Sequence, residues 1–361
     1  MRIKTVKLVD FKRFDDLTIE LGDNPQKIIA LVGPNGSGKS SVFDAFEEEL
    51  RNHKGGNAPA ESFLSKLLYS ILPEKRTTAY VRARSVKVDR VDGGTFDKKS
   101  FYIRSAYRFT SSLQVDSIQK RPDILEDPYR PGSSNALDNR LQFNYEMLLN
   151  SAFKEFFDDT NTKTGHQVRE ELLGKINEVL KEILDIKITT LGDVIGGKGQ
   201  PLFEKEGSKD FPFANLSSGE KEVVDIIIDF IVKTPQYNDT VFCIDEPELH
   251  LNTSIQRKLI VEIEKLVPDN CQLWVATHSI GFLRALQTDL KDKSQVLDFS
   301  EKDYFNGTHT IKPIRTTRTN WQRIFKTALE DLTGLIAPEE IIYCEGRPTP
   351  DVNGTEQGLD A

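Results

Sequence analysis

A glycine-rich segment at residues 33–40 constrains the fold of this chain more than any other sequence feature. It follows a short apolar run at residues 27–32 and precedes a helical pattern at residues 40–50. The segment fits G-x-x-x-x-G-K-[ST], in which glycines let backbone N–H groups turn toward phosphate oxygens. The helix that follows adds positive potential at its N-terminus. The sequence therefore predicts a strand, a phosphate-binding loop and a helix in succession.

This loop also supplies side chains for a nucleotide and its metal ion. In such a loop, the Lys39 ammonium group pairs with the β and γ phosphates, and the Ser40 hydroxyl group is a ligand of Mg²⁺. ATP and Mg²⁺ are thus the expected cofactors. The candidate nucleotide-binding residues are Gly33, Pro34, Asn35, Gly36, Ser37, Gly38, Lys39, Ser40 and Ser41.

Two adjacent carboxylates end a second apolar run. Residues 240–244 predict a buried strand, and Asp245 and Glu246 follow it. Ligands of parallel α/β sheets bind at the carboxyl edge of the strands, which places both side chains near the phosphate loop. Asp245 is the candidate for the Mg²⁺ site, and Glu246 is the candidate for orienting or deprotonating the attacking water.

The order of predicted elements favours an α/β fold. Strand signals at residues 6–9, 17–21, 77–86 and 101–109 precede two amphipathic helices within residues 136–185 and short strands within residues 186–215. The chain then alternates as helix 219–233, strand 240–244, helix 254–266, strand 271–276 and helix 280–288. This alternation indicates a parallel sheet with crossover helices.

Composition excludes several classes of protein. The 361 residues carry a net charge of −8 and have a mean hydropathy of −0.43. No segment has the ~20 consecutive apolar residues of a membrane helix, and the charged N-terminus does not resemble a signal peptide. Cys243, Cys271 and Cys344 lie in or beside apolar runs, so we expect buried thiols and a cytoplasmic location.

Positive charge is concentrated in two stretches, residues 75–121 and residues 312–326. Such runs usually form solvated faces, but on an acidic chain they also suggest an anionic partner such as DNA. Arg82, Arg84 and Arg104 are the candidate contacts in the first stretch.

Two further motifs resemble those of ABC-type ATPases. Leu216-Ser217-Ser218-Gly219-Glu220 is similar to the ABC signature L-S-G-G-Q, and His278, after a predicted strand, resembles the switch histidine. The order of phosphate loop, signature, acidic pair and histidine is that of the family. Residues 9–14 and 246–251 look like the soluble branch, which contains SMC, RecF-like and OLD ATPases. The resemblance covers about residues 1–300.

The resemblance implies an Mg²⁺-dependent ATPase whose signature meets ATP bound by a second copy of the chain. Ser217 and Glu220 also fit a capping box at the start of a helix. Ser218 and Glu220 depart from the signature, and Asn252 stands where the family usually has Asp. The further residues implied at the site are Ser217, Ser218, Gly219, Glu220, Arg13 and His278, with Gln114 or Gln119 as the metal-binding glutamine.

The resemblance also predicts a division of the chain into four parts. The helical insert lacks a sustained 3.5-residue repeat, which favours a compact head over a long coiled-coil arm. We expect an N-terminal head part at residues 1–120, a linker and helical lobe at 121–190, a second head part at 191–300 and an extension at 301–361.

Residues 340–347 form an apolar run ending in Glu-Gly, which resembles the first strand of the TOPRIM nuclease domain of OLD proteins. The chain contains too little after Glu345 for a complete site, so we expect a truncated domain, a docking strand, a separate effector subunit or simply a final strand with a polar tail. We expect an ATP-dependent dimer that gates a nuclease in anti-phage defence. A DNA-repair head of the RecF or SMC type and a non-hydrolysing ATP-bound scaffold are the alternatives.

Overall fold

The computed structural model describes residues 1–53, 75, 85–106, 140–156, 164–192, 199–300 and 303–336. The chain separates into two compact units, residues 1–328 and 329–361. All the strands described below belong to the first unit. Of the second unit, the described residues are the last turns of a helix that ends at Ile336.

A parallel five-stranded sheet carries the predicted phosphate loop. Its spatial order is β11-β3-β10-β9-β5, and every pairing is parallel. The strands are β3 (Ile28–Val32), β5 (Phe101–Arg104), β9 (Val241–Asp245), β10 (Gln272–Thr277) and β11 (Ser294–Asp298). The first four are buried along their whole length, as apolar strands covered on both faces should be.

Helices connect these strands as the alternating pattern predicts. The phosphate loop leads from β3 into α1 (Lys39–His53), α5 (Thr253–Leu266) joins β9 to β10, and α6 (Ile280–Gln287) joins β10 to β11. A 3-10 helix, Lys291–Lys293, precedes β11. The parallel α/β architecture expected from the sequence is therefore confirmed.

A second sheet packs beside the first and is mostly antiparallel. Its order is β12-β2-β1-β4, in which β12 runs parallel to β2. The strands are β1 (Ile3–Phe11), β2 (Phe14–Glu20), β4 (Val86–Arg90) and β12 (Thr308–Ile311). Most of the strand predicted at residues 77–86 lies outside the described residues. The observed strand β4 begins at Val86, the last residue of the predicted strand.

The predicted helical lobe consists of α2 (Arg140–Phe156) and α3 (Gly165–Leu184). A capping box formed by Thr164 and Gln167 begins α3. After α3 come the antiparallel strands β6 (Lys187–Thr190), β7 (Leu202–Lys205) and β8 (Ser208–Pro212), and then the 3-10 helix Phe213–Asn215. The next helix is α4 (Ser218–Lys233).

Alternate residues of the parallel strands enter two hydrophobic cores. On β3, Ile28 and Ala30 join the core formed with the helical lobe, whereas Ile29 and Leu31 join the core formed with the second sheet. This division follows from the two-residue period of a strand. The parallel sheet thus lies between the lobe on one face and the second sheet with α1 on the other.

Residues beyond 300 contribute to both cores. Thr308–Ile311 pairs with β2 in the second sheet, and α7 (Arg318–Ile336) places Trp321 and Ile324 in the lobe-side core. This stretch was predicted to be an extension, and neither element was predicted. The four-residue strand has too few residues for a recognisable two-residue period.

Several sequence predictions lie outside the described residues. They are the linker at residues 121–135, Arg82, Arg84, Gln114, Gln119, Cys344 and the apolar run at 340–347.

Candidate functional site

The phosphate loop lies where the sequence predicts it, between β3 and α1. Gly36 and Gly38 have φ angles of +77° and +102°, values that glycine adopts without strain. A Cβ atom on Gly33 would lie 2.9 Å from Cβ of Phe299. The glycines thus satisfy both the backbone turn and the close packing that this loop needs.

Lys39 begins α1 and is buried beneath the loop. Its ammonium group donates hydrogen bonds to the carbonyl oxygens of Gly33 (2.8 Å) and Pro34 (3.0 Å). Burial lowers the pKa of Lys39, while the carboxylates of Glu246, Asp245 and Glu248 act in the opposite direction. The lysine therefore lies within electrostatic reach of the acidic residues after β9.

An arginine and two phenylalanines lie against the outer side of the loop. Arg13 donates to the Gly36 carbonyl oxygen at 3.3 Å, and its guanidinium carbon lies 3.8 Å from the centre of the Phe305 ring. A Cβ atom on Gly38 would meet Phe14 Cζ at 2.5 Å and Phe305 Cε1 at 3.2 Å. Arg13 was a sequence candidate, but Phe305 was missed because it is distant in sequence and belongs to no motif.

The acidic pair marks the carboxyl end of β9. Asp245 is the last residue of the strand and is buried. Glu246 follows with a φ angle of +46°, and its N–H group donates to the Ala276 carbonyl oxygen at 2.9 Å. Positive φ in a non-glycine residue is a strained conformation that tends to occur at functional sites.

His278 follows β10 and lies beside two glutamates. Its Nδ1 atom is 3.7 Å from Glu246 Oε1 and 3.7 Å from Glu248 Oε1. Glu248 is buried and accepts hydrogen bonds from Thr277 Oγ1 (2.5 Å) and from the His278 N–H group (3.0 Å). The structure therefore brings the predicted Glu246 and His278 together and adds Glu248 behind them.

Glu248 had no predicted role, although it lies in the Glu-Pro-Glu run that opens residues 246–251. Burial raises the pKa of Glu248, and the hydrogen bonds from Thr277 and His278 counter part of that effect. A second carboxylate two residues after Glu246 was the available signal. The sequence alone did not show that it would turn inward.

The signature residues form the N-terminus of α4. Ser217 Oγ accepts from the Glu220 N–H group, and Glu220 Oε2 accepts from the Ser217 N–H group at 2.8 Å. Lys205 donates to Glu220 Oε1 at 2.8 Å. The predicted capping box is confirmed.

The signature packs against the segment that follows the acidic pair. A Cβ atom on Gly219 would lie 2.7 Å from the His250 carbonyl oxygen. Asn252 caps α5, since its Oδ1 atom accepts from the Ile255 N–H group at 3.0 Å. Among the described residues, no hydrogen bond or ion pair joins residues 217–220 to residues 33–40 of the same chain.

The available oxygen donors suit Mg²⁺. Ser40 is exposed on the first turn of α1, which follows β3. Asp245 is the last residue of β9, which is separated from β3 by β10 in the same sheet. Hydroxyl and carboxylate oxygens are the hard ligands that Mg²⁺ prefers, and the ion normally keeps several waters. In the described part of the chain, no group of three or more His, Cys, Asp or Glu side chains is arranged as an all-protein metal site. A site completed by waters and phosphate fits this donor set.

The structure overturns one predicted DNA contact. Arg104 ends β5 with no exposed surface and forms ion pairs with Asp225 and Asp229. It cannot touch DNA from this position, because its side chain is fully buried against α4. In the second basic stretch, Lys312, Arg315, Arg318 and Lys326 are exposed, while Arg323 donates to Asp298.

The fold and these residues define an α/β P-loop ATPase with the motif order of ABC-type heads. Within the described ranges, no helix combines the length and the apolar character needed to cross a bilayer.

Comparison with known families agrees with this class. Residues 48–284 match the family described as "AAA domain, putative AbiEii toxin, Type IV TA system", and residues 1–51 match a second AAA-domain model. The first match includes the signature, the acidic pair and His278, and the second includes the phosphate loop. Because the first match covers more than half of its length, the chain belongs to this AAA-domain family.

Individual relatives are more distant. The chromosome partition protein Smc of Bordetella petrii is 29% identical over 133 residues, which cover 35% of this chain and 11% of that protein. The SMC head bound to the C-winged helix domain of ScpA has 14% identity and a TM-score of 0.43, covering 89% of this chain and 100% of that one. The SMC head of Thermotoga maritima has 16% identity and a TM-score of 0.41, with coverages of 87% and 100%.

Proposed function

We propose that this chain is an Mg²⁺-dependent ATP hydrolase in which two copies close on shared ATP. The observation that carries the proposal is the position of His278, 3.7 Å from both Glu246 and Glu248 at the edge of the sheet that bears the phosphate loop. Family membership supports nucleotide binding at this loop.

Each residue of the proposed site has a role that its position permits. Lys39 would exchange the Gly33 and Pro34 carbonyl oxygens for phosphate oxygens, and Ser40 and Asp245 would hold the metal ion. When bound, Mg²⁺ neutralises charge that develops on the β and γ phosphates. Glu246 would orient and deprotonate the attacking water. His278 would help to orient the same water molecule.

The second copy would supply the signature. The first intrahelical hydrogen bond of α4 runs from the Lys221 N–H group to the Ser217 carbonyl oxygen. The N–H groups of Ser218 and Gly219 precede it and point out of the helix end, where an anion is favoured. A γ-phosphate bound by the partner copy is a suitable anion, and Arg13 beside Gly36 would add positive charge to the same interface.

Replacing the proposed base tests hydrolysis and dimerisation together. Glu246→Gln should bind ATP, hydrolyse it at least a hundredfold more slowly, and accumulate as a dimer in light scattering. Lys39→Ala, the control, should bind neither ATP nor a second copy. A Glu246→Gln protein that stays monomeric at saturating Mg²⁺ and ATP would contradict the shared-ATP mechanism.

We further propose that the nucleotide cycle gates an effector, a nuclease subunit or domain, in anti-phage defence. The family description, which names a toxin system, supports this context.

The alternative is DNA maintenance, which the similarity to Smc favours. ATP turnover with and without DNA distinguishes them: stimulation that disappears in Arg315→Glu/Arg318→Glu favours DNA maintenance. Full effector activation by Glu246→Gln, with none by Lys39→Ala, would instead favour the ATP-bound scaffold considered above.

A further inference from the structure

A buried polar cluster joins three elements outside the nucleotide-binding residues. It consists of Tyr102 and Arg104 on β5, Asn144 on α2, and Asp225 and Asp229 on α4. Arg104 donates to Asp225 Oδ2 at 2.7 Å and also to Asp229. Tyr102 Oη and Asn144 Nδ2 each donate to Asp229 Oδ1 at 2.6 Å. Arg104 and Asp229 have no exposed surface.

Stability alone does not require this arrangement. A buried ion pair loses hydration on both charges, and apolar replacements of equal volume are often neutral or stabilising. Burial works against the charged form of Arg104, yet Asp225 and Asp229 hold its pKa well above its ordinary value. Arg104 Nε, Asp225 Oδ1 and Asn144 Oδ1 have no hydrogen-bond partner among the described residues. The hydrogen bonds of the cluster therefore fix the relative orientation of its side chains, while three of its buried polar atoms are left unsatisfied by the described residues.

The cluster connects the acidic pair to the signature through two rigid elements. Arg104 pairs in register with Ile244, the residue before Asp245. On the other side, Asp225 lies eight residues after Ser217 along α4, about 12 Å of helix. A change in the orientation of α4 on β5 would move the signature, since one continuous helix carries both.

We propose that Arg104, Asp225 and Asp229 are positioning residues that fix α4 on the nucleotide-binding sheet, so that the signature can engage ATP held by a second copy. The inference rests on the proposed shared-ATP function and deepens it. It predicts that the cluster affects closure of the dimer and leaves nucleotide binding to the phosphate loop unchanged.

Asp225→Asn tests this in a Glu246→Gln background. The amide keeps the shape of the side chain and leaves the Arg104–Asp229 pair in place. We expect the ATP concentration for half-maximal dimerisation to rise at least tenfold by light scattering. The Kd for ADP, measured by calorimetry, should change less than twofold, because ADP binding does not need the signature.

Glu264→Gln, also in the Glu246→Gln background, is the matched control. Glu264 is buried near the end of α5 and ion-paired with Lys27 and Lys293, each at 2.9 Å, at the amino edge of the parallel sheet and outside the cluster. It should lower the unfolding temperature to a similar degree while dimerisation stays unchanged. A purely structural role for Asp225 would make both variants alike.

The possible outcomes separate the two proposals. If Glu246→Gln alone does not dimerise, the shared-ATP function fails. If Glu246→Gln dimerises and Asp225→Asn leaves its midpoint unchanged, the positioning role is wrong. Equal weakening of ADP binding and dimerisation by Asp225→Asn also overturns the positioning role, because it shows a general loss of structure.

Discussion

Glu248 shows how one buried side chain organises the edge of the sheet. It accepts hydrogen bonds from Thr277 and from the backbone of His278, and its Oε1 atom lies 3.7 Å from the histidine ring. These contacts hold the end of β10 against the turn after β9. The position of His278 next to Glu246 therefore depends on a residue that has no direct role in the proposed chemistry.

The raised pKa of Glu248 predicts a pH dependence of stability. Its ordinary pKa is 4.5, and burial raises it in the folded chain. As the pH rises from 4.5 toward the raised pKa, Glu248 loses its proton in the unfolded chain before it does so in the folded chain. The contribution of Glu248 to the free energy of unfolding therefore declines over this range. Glu248→Gln lacks this titration. Its free energy of unfolding should therefore increase relative to that of the wild-type protein as the pH rises above 4.5.

Urea denaturation between pH 4 and pH 8 measures this difference. Glu178→Gln, at an exposed position on α3, is the control and should follow the wild-type curve. Parallel curves for Glu248→Gln and wild type would show that the carboxyl group has no raised pKa.

At the level of elements, two helices begin with the same capping box. Ser217 and Glu220 cap α4, and Thr164 and Gln167 cap α3. Both satisfy the first N–H groups of a helix. The signature differs from the other helix start in its surroundings, because Gly219 packs on the segment after the acidic pair.

This duplication separates capping from nucleotide recognition. Ser217→Ala and Thr164→Ala should each lower the unfolding free energy by about 1 kcal/mol, since each removes one N-cap side chain. Only Ser217→Ala should weaken ATP-driven dimerisation in the Glu246→Gln background. Equal dimerisation of both variants in light scattering would contradict a role for the Ser217 hydroxyl group beyond the cap.

For the whole molecule, the first strands and the described residues after 303 contribute to one structure around the phosphate loop. Phe305 packs beside Gly38 and Arg13, and Thr308–Ile311 pairs with β2. Tyr304, Ile311, Trp321 and Ile324 are buried in the two cores. The boundary at residue 300, which the motifs suggest, therefore cuts through a packed region.

A chain ending at Ser300 should lose cooperative folding. Each of the four buried side chains contributes about 1.5–3 kcal/mol, and their sum approaches the whole stability of a typical domain, ~5–15 kcal/mol. Urea denaturation followed by circular dichroism should show a broad transition at low denaturant. A sharp transition at the full-length midpoint would show that residues 301–336 are an independent appendage.

The sequence alone determined those features that depend on local pattern. The phosphate loop, the acidic pair after β9, the capping box of α4 and the alternating strands and helices were all predicted from residue order and spacing. They could be predicted because a glycine turn, a helix cap and a buried apolar strand each depend on neighbouring residues.

Only the tertiary structure decided which distant side chains meet. It brought Glu248 to His278 and Phe305 to the phosphate loop, and it buried Arg104 against Asp225 and Asp229, where the sequence suggested an exposed basic residue. These contacts join segments far apart in the chain, and no local period or spacing encodes them. Packing of the sheet against its two cores sets which charges are buried together, and this decides the roles those residues can have.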